Sequence, residues 1–213
     1  MRLNPTQFLV LLCPPLLTRA VQSLWRSITD QISSARIKRF DRLHLACGTN
    51  FLPGWANVDL EGPARTIKLD LTRPLPVASD SMQYIYNEHF IEHIEHDDAA
   101  RLLGECYRVL KPGGVLRIST PSLARLVTEY QSGRLDFWAD MSWNPGSPAK
   151  LLNEGLSLWG HHFVYDANEL ESVIRSAGFS RLEPCGWRDS QHHLLKDLEC
   201  RPFHDELIYD CVK

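Results

Sequence analysis

After Phe40 the chain alternates short apolar runs with stretches of helical periodicity, and this alternation restricts the fold more than any other feature. The runs Leu43-His-Leu-Ala-Cys47, Ala56-Asn-Val-Asp59, Thr66-Ile-Lys-Leu69, Gln83-Tyr-Ile-Tyr86 and Val115-Leu-Arg-Ile-Ser119 read as strands. Between the last two, Asp97 can cap a helix through Leu110 with Ala100, Leu103, Cys106 and Leu110 inward. Lys111-Pro-Gly-Gly114 ends it. Asp166 caps a second helix with the stripe Leu170, Val173, Ile174 and Ala177, stopped at Gly178. Arg181–Cys185 and Leu207–Val212 read as a closing strand pair. Strands that alternate with helices predict an α/β fold, Rossmann-like, with a mostly parallel seven-stranded sheet and helices on both faces. Residues 133–160, rich in Trp, Gly, Pro and Asn, are expected to be irregular, and long irregular segments inside compact domains are more often functional than idle.

Ahead of this body lies a different kind of segment. Leu16, Leu17, Val21, Leu24, Trp25, Ile28 and Ile32 recur at helical steps, with Arg19, Gln22, Arg26 and Asp30 on the other side. Arg36-Ile-Lys-Arg39 follows as a basic connector, so 1–40 and 41–213 are the expected divisions. The formal charge of −3 divides accordingly: residues 1–42 carry +5 and the remainder −8. Near-neutral total charge argues against a nucleic-acid partner. The amphipathic stripe in 16–39 suits packing on the main domain, or else a partner or an anionic membrane surface. The apolar start is broken early by Pro14-Pro15 with no small-x-small cleavage site, so a signal peptide is not expected. Six scattered cysteines without a C-x-x-C pair read as free thiols in a reducing compartment. A cytoplasmic protein, peripheral on the inner membrane at most, is the expectation.

In an open α/β sheet, ligands bind beyond the carboxyl ends of the strands near the point where strand order reverses. The residues there are Ala46-Cys-Gly-Thr-Asn50, then Asp59, then Asp70, then Asn87-Glu-His-Phe-Ile-Glu-His93. A small-x-Gly turn lets backbone approach a ligand, and acids at the next strand ends can accept hydrogen bonds from ribose hydroxyls and an adenine amino group. A dinucleotide site is disfavoured. Phe51 stands where its third glycine belongs, Pro53-Gly54 opposes a helix, and Asp59 follows Gly48 by only 11 residues. A nucleoside cofactor without pyrophosphate fits better.

The segments Leu45-Ala-Cys-Gly48, Gly54-Trp-Ala-Asn-Val-Asp59, Asp70-Leu-Thr-Arg-Pro-Leu-Pro76, Glu88-His-Phe-Ile-Glu-His93, Glu105-Cys-Tyr-Arg-Val-Leu-Lys-Pro-Gly-Gly114, Leu116-Arg-Ile-Ser-Thr-Pro121, Ala177-Gly-Phe179 and Gly160-His-His-Phe-Val-Tyr-Asp166 together resemble class I S-adenosylmethionine-dependent methyltransferases. The likeness is strongest to a bacterial subgroup associated with polysaccharide biosynthesis, and it runs over residues 41–213. It implies that S-adenosyl-L-methionine is the cofactor. Ala46, Cys47 and Gly48 would meet its methionine part, with Asn50 of the same turn also in contact. Asp59 would hold the ribose, Asp70 and Leu71 the adenine, and Asn87 would lie under the sulfonium. Ala46 departs from the family, where glycine is usual.

Methyl transfer to a hydroxyl needs an aligned acceptor and a group to take its proton, for which histidine is suited. His161, at a position where the family places a histidine, and His89, nearest the strand end, are the candidates. His89, His93 and His96 would share one face of a helix, where imidazoles at i and i+4 can chelate. A structural or solvated face is the favoured reading, and no metal is expected. Glu88 and Glu92 are read as orienting neighbours. No Asn-Pro-Pro-aromatic block and no Pro-Cys pair follow the fourth strand, which disfavours amino-methylating DNA and glutamine enzymes and attack on pyrimidine carbon. Phe137, Trp138, Trp143 and Trp159 suit stacking on a sugar or an aromatic ring. The expected activity is O-methylation of a sugar or glycan precursor. A small metabolite or lipid acceptor, or a non-catalytic cofactor-binding scaffold, are the alternatives.

Overall fold

The computed structural model describes residues 15–135, 143–201 and 205–213, and side chains from residue 24 on except those of 25 and 26. Its elements are α1 (Pro15–Ile37), β1 (Arg42–Leu45), β2 (Ala56–Asp59), β3 (Ile67–Lys68), β4 (Met82–Glu88), α2 (His96–Val109), β5 (Leu110–Thr120), α3 (Leu123–Ser132), α4 (Pro148–Ser157), α5 (Ala167–Ser176), β6 (Arg181–Pro184) and β7 (Leu207–Val212). The seven strands form one sheet in the order β3-β2-β1-β4-β5-β7-β6. The first five are parallel, and β7 runs antiparallel between β5 and β6. The order reverses between β1 and β4. That puts the switch point beyond Leu45 and Glu88, two of the four strand ends that the sequence singles out.

Pleating separates the sheet into rows. In one, Ala56, Leu43, Ile85, Leu116 and Cys211 stand in register, all buried and apolar. One residue on, the register brings Asn57, His44, Tyr86, Arg117 and Asp210 side by side on the other face, equally buried. A polar row inside a core is costly unless its groups are bonded. His44 Nδ1 donates to Asn57 Oδ1 at 3.0 Å. Arg117 donates from Nε to Glu199 at 2.6 Å and from Nη1 to Asp210 at 2.9 Å.

Several expectations are corrected. Helix α2 starts two residues early and is flanked by Glu95, so Asp97 lies in its first turn and does not cap it. Its buried face is Ala99, Leu102, Leu103, Cys106 and Val109, shifted from the expected stripe because Val109 closes against the core and Leu110 begins β5. Lys111–Gly114 belongs to β5, with a register shift opposite Met82/Tyr84. Helix α5 follows the sequence: Asp166 caps it, accepting Glu169 N–H at 2.8 Å, and Gly178 takes φ +114 after its end. The irregular segment contains α4, capped by Ser147 Oγ, which accepts Lys150 N–H at 3.2 Å. α3 and α4 build a small cluster of their own from Leu126, Leu151 and Val164. The residues of that segment outside the description, 136–142, include Phe137 and Trp138.

Helix α1 divides along its length. Ser33 and Ile37 are buried, and Ser33 Oγ donates to the Lys68 carbonyl at 2.8 Å, so the last turns dock on β3. Upstream, Leu24, Ile28 and Ile32 are 63%, 42% and 56% exposed. The described part of the stripe therefore does not pack on the main domain. Among the described residues no helix is long and apolar enough to cross a membrane. Their cysteines (47, 106, 185, 200 and 211) are free thiols; Cys13 lies outside them.

Candidate functional site

The first half of the site is built where β1 gives way to its turn. Ala46 and Gly48 both take left-handed φ, +50 and +51, which reverses the chain sharply. Cys47 N–H donates to the Val58 carbonyl at 3.0 Å, pinning the turn to β2. Asp59, at the end of β2, accepts Gly48 N–H at 2.9 Å through Oδ2, and Glu61 and Gly62 N–H, each at 2.8 Å, through Oδ1. One carboxylate thus orders two turns. Its roughly four lone-pair sites leave capacity for a further donor. A Cβ placed on Gly48 would meet nothing within 4 Å, so this face of the turn lies open.

Asp70 closes the turn after β3 by accepting Thr72 N–H at 3.0 Å and Thr72 Oγ1–H at 2.7 Å. Leu71 beside it is buried. The two acids are linked through backbone, since Leu69 N–H donates to the Asp59 carbonyl at 3.2 Å. Asn87, 1% exposed, donates from Nδ2 to the Leu45 carbonyl at 3.3 Å, while its Oδ1 is buried with no hydrogen-bond partner. Asn50 Nδ2 is likewise buried without one. Unsatisfied buried polar atoms cost about 1–3 kcal/mol each, and a polar ligand that reached these two would complete them. Burial, and after it Asp59, push the Cys47 thiol up, so it stays protonated and contributes through its backbone.

The second half grows from the segment after β4. Glu88 accepts Cys200 N–H at 3.0 Å and Arg201 N–H at 3.1 Å, anchoring a distant loop. His89, at φ +49, lies between Glu92 (Nδ1–Oε1, 3.4 Å) and Glu206 (Nε2–Oε1, 3.5 Å). Burial alone would lower this imidazole, but the two carboxylates override it and raise it to about 9. Glu92 is fully buried in the short turn Ile91–His93. Burial works against its charge, yet His89 holds its carboxyl below the ordinary range. Oε2 of Glu92 accepts Thr120 Oγ1–H at 2.9 Å, and its carbonyl accepts His162 and Phe163 N–H at 2.6 and 3.2 Å.

That backbone bridge delivers His161. Its Nδ1 donates to the Gly155 carbonyl at 3.0 Å, which fixes the tautomer and leaves Nε2 as the acceptor. Burial lowers this imidazole, so it stands neutral. Its ring meets that of His93 edge-on at 4.9 Å, and Trp159 lies 5.7 Å away. Trp159 pairs in turn with Trp143 at 4.9 Å, whose Nε1 donates to Glu154 at 2.7 Å. One ligand atom each from Glu92, His93 and His161 lies within 4.8 Å of the others.

The expected helical face of His89, His93 and His96 does not form, because Ile91–His93 is a separate turn and α2 begins only at His96. His96 turns to Glu169 at 2.8 Å, and His162 to Glu95 at 2.8 Å. His161, 68 residues beyond His93, joins the cluster instead. Glu88 and Glu92 do orient neighbours, as the sequence suggests. Glu206 and Thr120 join the site from afar; Thr120 ends β5 within the Leu116–Pro121 segment, whereas no local pattern in the sequence marks Glu206.

Residues 43–118 match the family described as "Methyltransferase domain". Over 128 residues, 60% of this chain and 46% of the relative, the sequence is 37% identical to a "Probable S-adenosylmethionine-dependent methyltransferase" of Mycolicibacterium smegmatis. A Mycobacterium tuberculosis protein of the same description is 31% identical over 127 residues, 60% of this chain and 36% of that one. The chain spans less than half the length of these curated relatives. In fold it is similar to a SAM-dependent methyltransferase from Archaeoglobus fulgidus, with TM-score 0.51 and 16% identity over 92% of this chain and 94% of that one.

Proposed function

We propose that this chain, whose residues 43–118 match a methyltransferase domain, is a class I S-adenosylmethionine-dependent methyltransferase and methylates a hydroxyl of a sugar or glycan precursor. The observation that carries the cofactor part is the turn Ala46–Gly48 tied to Asp59, beside the unsatisfied Oδ1 of Asn87. Ala46, Cys47, Gly48 and Asn50 would hold the methionine part, Asp59 the ribose, and Asp70 with Leu71 the adenine. Bound there, S-adenosylmethionine supplies a methyl group on a sulfonium, already a strong electrophile.

The chain's own task is then alignment and one proton transfer. His161, with Nδ1 committed to Gly155, offers Nε2 to the acceptor hydroxyl and takes its proton. His89, held between Glu92 and Glu206, is a positioning residue. Trp159, 54% exposed beside His161, supplies an aromatic wall of the kind that stacks on a sugar face.

Calorimetry with S-adenosylmethionine and S-adenosylhomocysteine tests the first part, and absence of binding for both overturns it. Incubation of labelled cofactor with nucleotide-sugars and lipid-linked glycans tests the second. Transfer only to small metabolites or free lipids would replace the acceptor class, and tight binding without transfer to any acceptor would favour a scaffold. The exposed Leu24, Ile28 and Ile32 support docking of 16–39 on a membrane surface or a partner. A chain beginning at Arg36 should stay folded and lose binding to anionic liposomes. Insolubility of that shortened chain would instead make the stripe a protein interface.

A further inference from the structure

The strongest unassigned feature is the side-chain cluster around Glu92. We propose that Glu92, His93 and His161 bind one divalent transition-metal cation of the Zn²⁺, Co²⁺ or Mn²⁺ kind, against which the acceptor hydroxyl is held. This deepens the methyltransferase reading and rests on it for the role of the cation, though not for its binding.

Four observations converge. The three donors, two imidazoles and a carboxylate, come together within 4.8 Å from positions 69 residues apart at the extremes. Two imidazoles with one carboxylate is a set that borderline first-row cations accept while leaving positions open for a ligand. Two of the three carry an outer partner: His161 Nδ1–H donates to the Gly155 carbonyl, and Glu92 Oε2 accepts from Thr120. Ligating histidines and carboxylates are held in this manner, by hydrogen bonds from the atom not facing the metal. Finally, Glu92 Oε1 is buried and lacks a hydrogen bond, its imidazole neighbours standing at 3.4 and 3.8 Å. His89, at 3.4 Å, is the charge partner this oxygen already has, and a cation bound between Glu92, His93 and His161 would add a second.

Metal–donor distances of about 2.0–2.2 Å require a tighter approach. Binding therefore requires the His93 ring, 28% exposed at its side chain, and the half-buried ring of His161 to move toward Glu92, which Thr120 holds. With the cation in place, His161 Nε2 becomes a ligand and no longer takes the proton. The hydroxyl bound to the cation is acidified and gives its proton to solvent water.

The test uses the full chain, stripped by a chelator and dialysed, then titrated with Co²⁺ and Zn²⁺ alone. The expected result is one cation per chain, with visible Co²⁺ bands of a nitrogen–oxygen site, displaced by Zn²⁺. His161→Ala and His93→Ala should each weaken binding by about tenfold or more, and Thr120→Val by about tenfold. Asp97→Ala, on the exposed start of α2, should leave it unchanged. Because Glu92→Gln could simply unfold the core, the decisive variants are His161→Ala and His93→Ala, which remove partly exposed rings. No saturable binding, or binding indifferent to both histidine variants, overturns the proposal. Calorimetry of S-adenosylmethionine on the same stripped sample keeps the two readings apart. Cofactor binding without cation binding sinks only the cation site. Cation binding without cofactor binding sinks only the methyltransferase reading.

Discussion

Two buried charge clusters meet the same strand, β5, and they are finished to different degrees. Both carboxylates that meet Arg117 accept from a second donor as well. Glu199 accepts from its Nε and also from Arg188 N–H at 3.0 Å, and Asp210 accepts from its Nη1 and from Ser190 Oγ–H at 2.6 Å. All three side chains are fully buried. Around Glu92, a few residues past the end of the neighbouring strand β4, one oxygen is bonded and the other is not. A closed cluster can only hold the fold together. An open one retains capacity for a ligand, and the residues that could use it, His93 and His161, are partly accessible. The contrast separates a buried charge whose hydrogen bonds are complete from one with an oxygen left over.

Substitutions can break or sharpen this contrast. The largest effect is expected at the open cluster: His161→Ala should lower methyl transfer by about 10²–10⁴-fold, with the melting temperature and S-adenosylmethionine affinity little changed. A parallel loss of stability would mean that His161 is structural. At the closed cluster the outcome is reversed. Arg117→Met leaves Glu199 and Asp210 without their buried cation and should destabilise the protein by about 3–5 kcal/mol, read as a shift of the denaturation midpoint.

Further along the polar row, His44 offers a titration of its own. Burial lowers it to about 4, only partly offset by its bond to Asn57. The unfolded chain therefore takes up this proton first. Stability should fall as pH drops through about 6.5 and level off near 4, by about 3 kcal/mol in all, and His44→Gln should flatten that part of the curve. Next in size, Asp59→Ala should weaken S-adenosylmethionine binding by about 1–3 kcal/mol, measured by calorimetry; unchanged affinity would remove Asp59 from the ribose. The smallest change is Ala46→Gly. Relief of a left-handed alanine should stabilise the protein by about 1 kcal/mol, with cofactor affinity unchanged or improved.

The crevice and the histidine cluster are unequally legible in the sequence. Strand ends lie next to their strands along the chain, so Ala46, Gly48, Asp59, Asp70 and Asn87 can be placed in one crevice from alternation alone, and the structure ties Gly48 to Asp59. Asp166 is legible as a cap because its partner Glu169 is three residues away. The histidines resist such reading for the opposite reason. A helical face through His89, His93 and His96 requires one continuous helix, and a separate turn at Ile91–His93 breaks it. Nor does the sequence tell whether the α1 stripe is covered, since that depends on where the helix ends and on what it docks against; Ser33 and Ile37 reach the body, while Leu24, Ile28 and Ile32 do not.

By itself the sequence determined the alternation of strands and helices, and the acids and small residues that stand at the strand ends, because these follow from local periodicity and turn chemistry. The tertiary structure alone decided which distant groups share a dry environment. It paired Arg117 with Glu199 and Asp210, brought His161 and Glu206 to Glu92 and His89, and left one carboxylate oxygen unbonded. Burial and hydrogen-bond satisfaction are properties of packed neighbours, and residues dozens of positions apart become neighbours only when the chain folds.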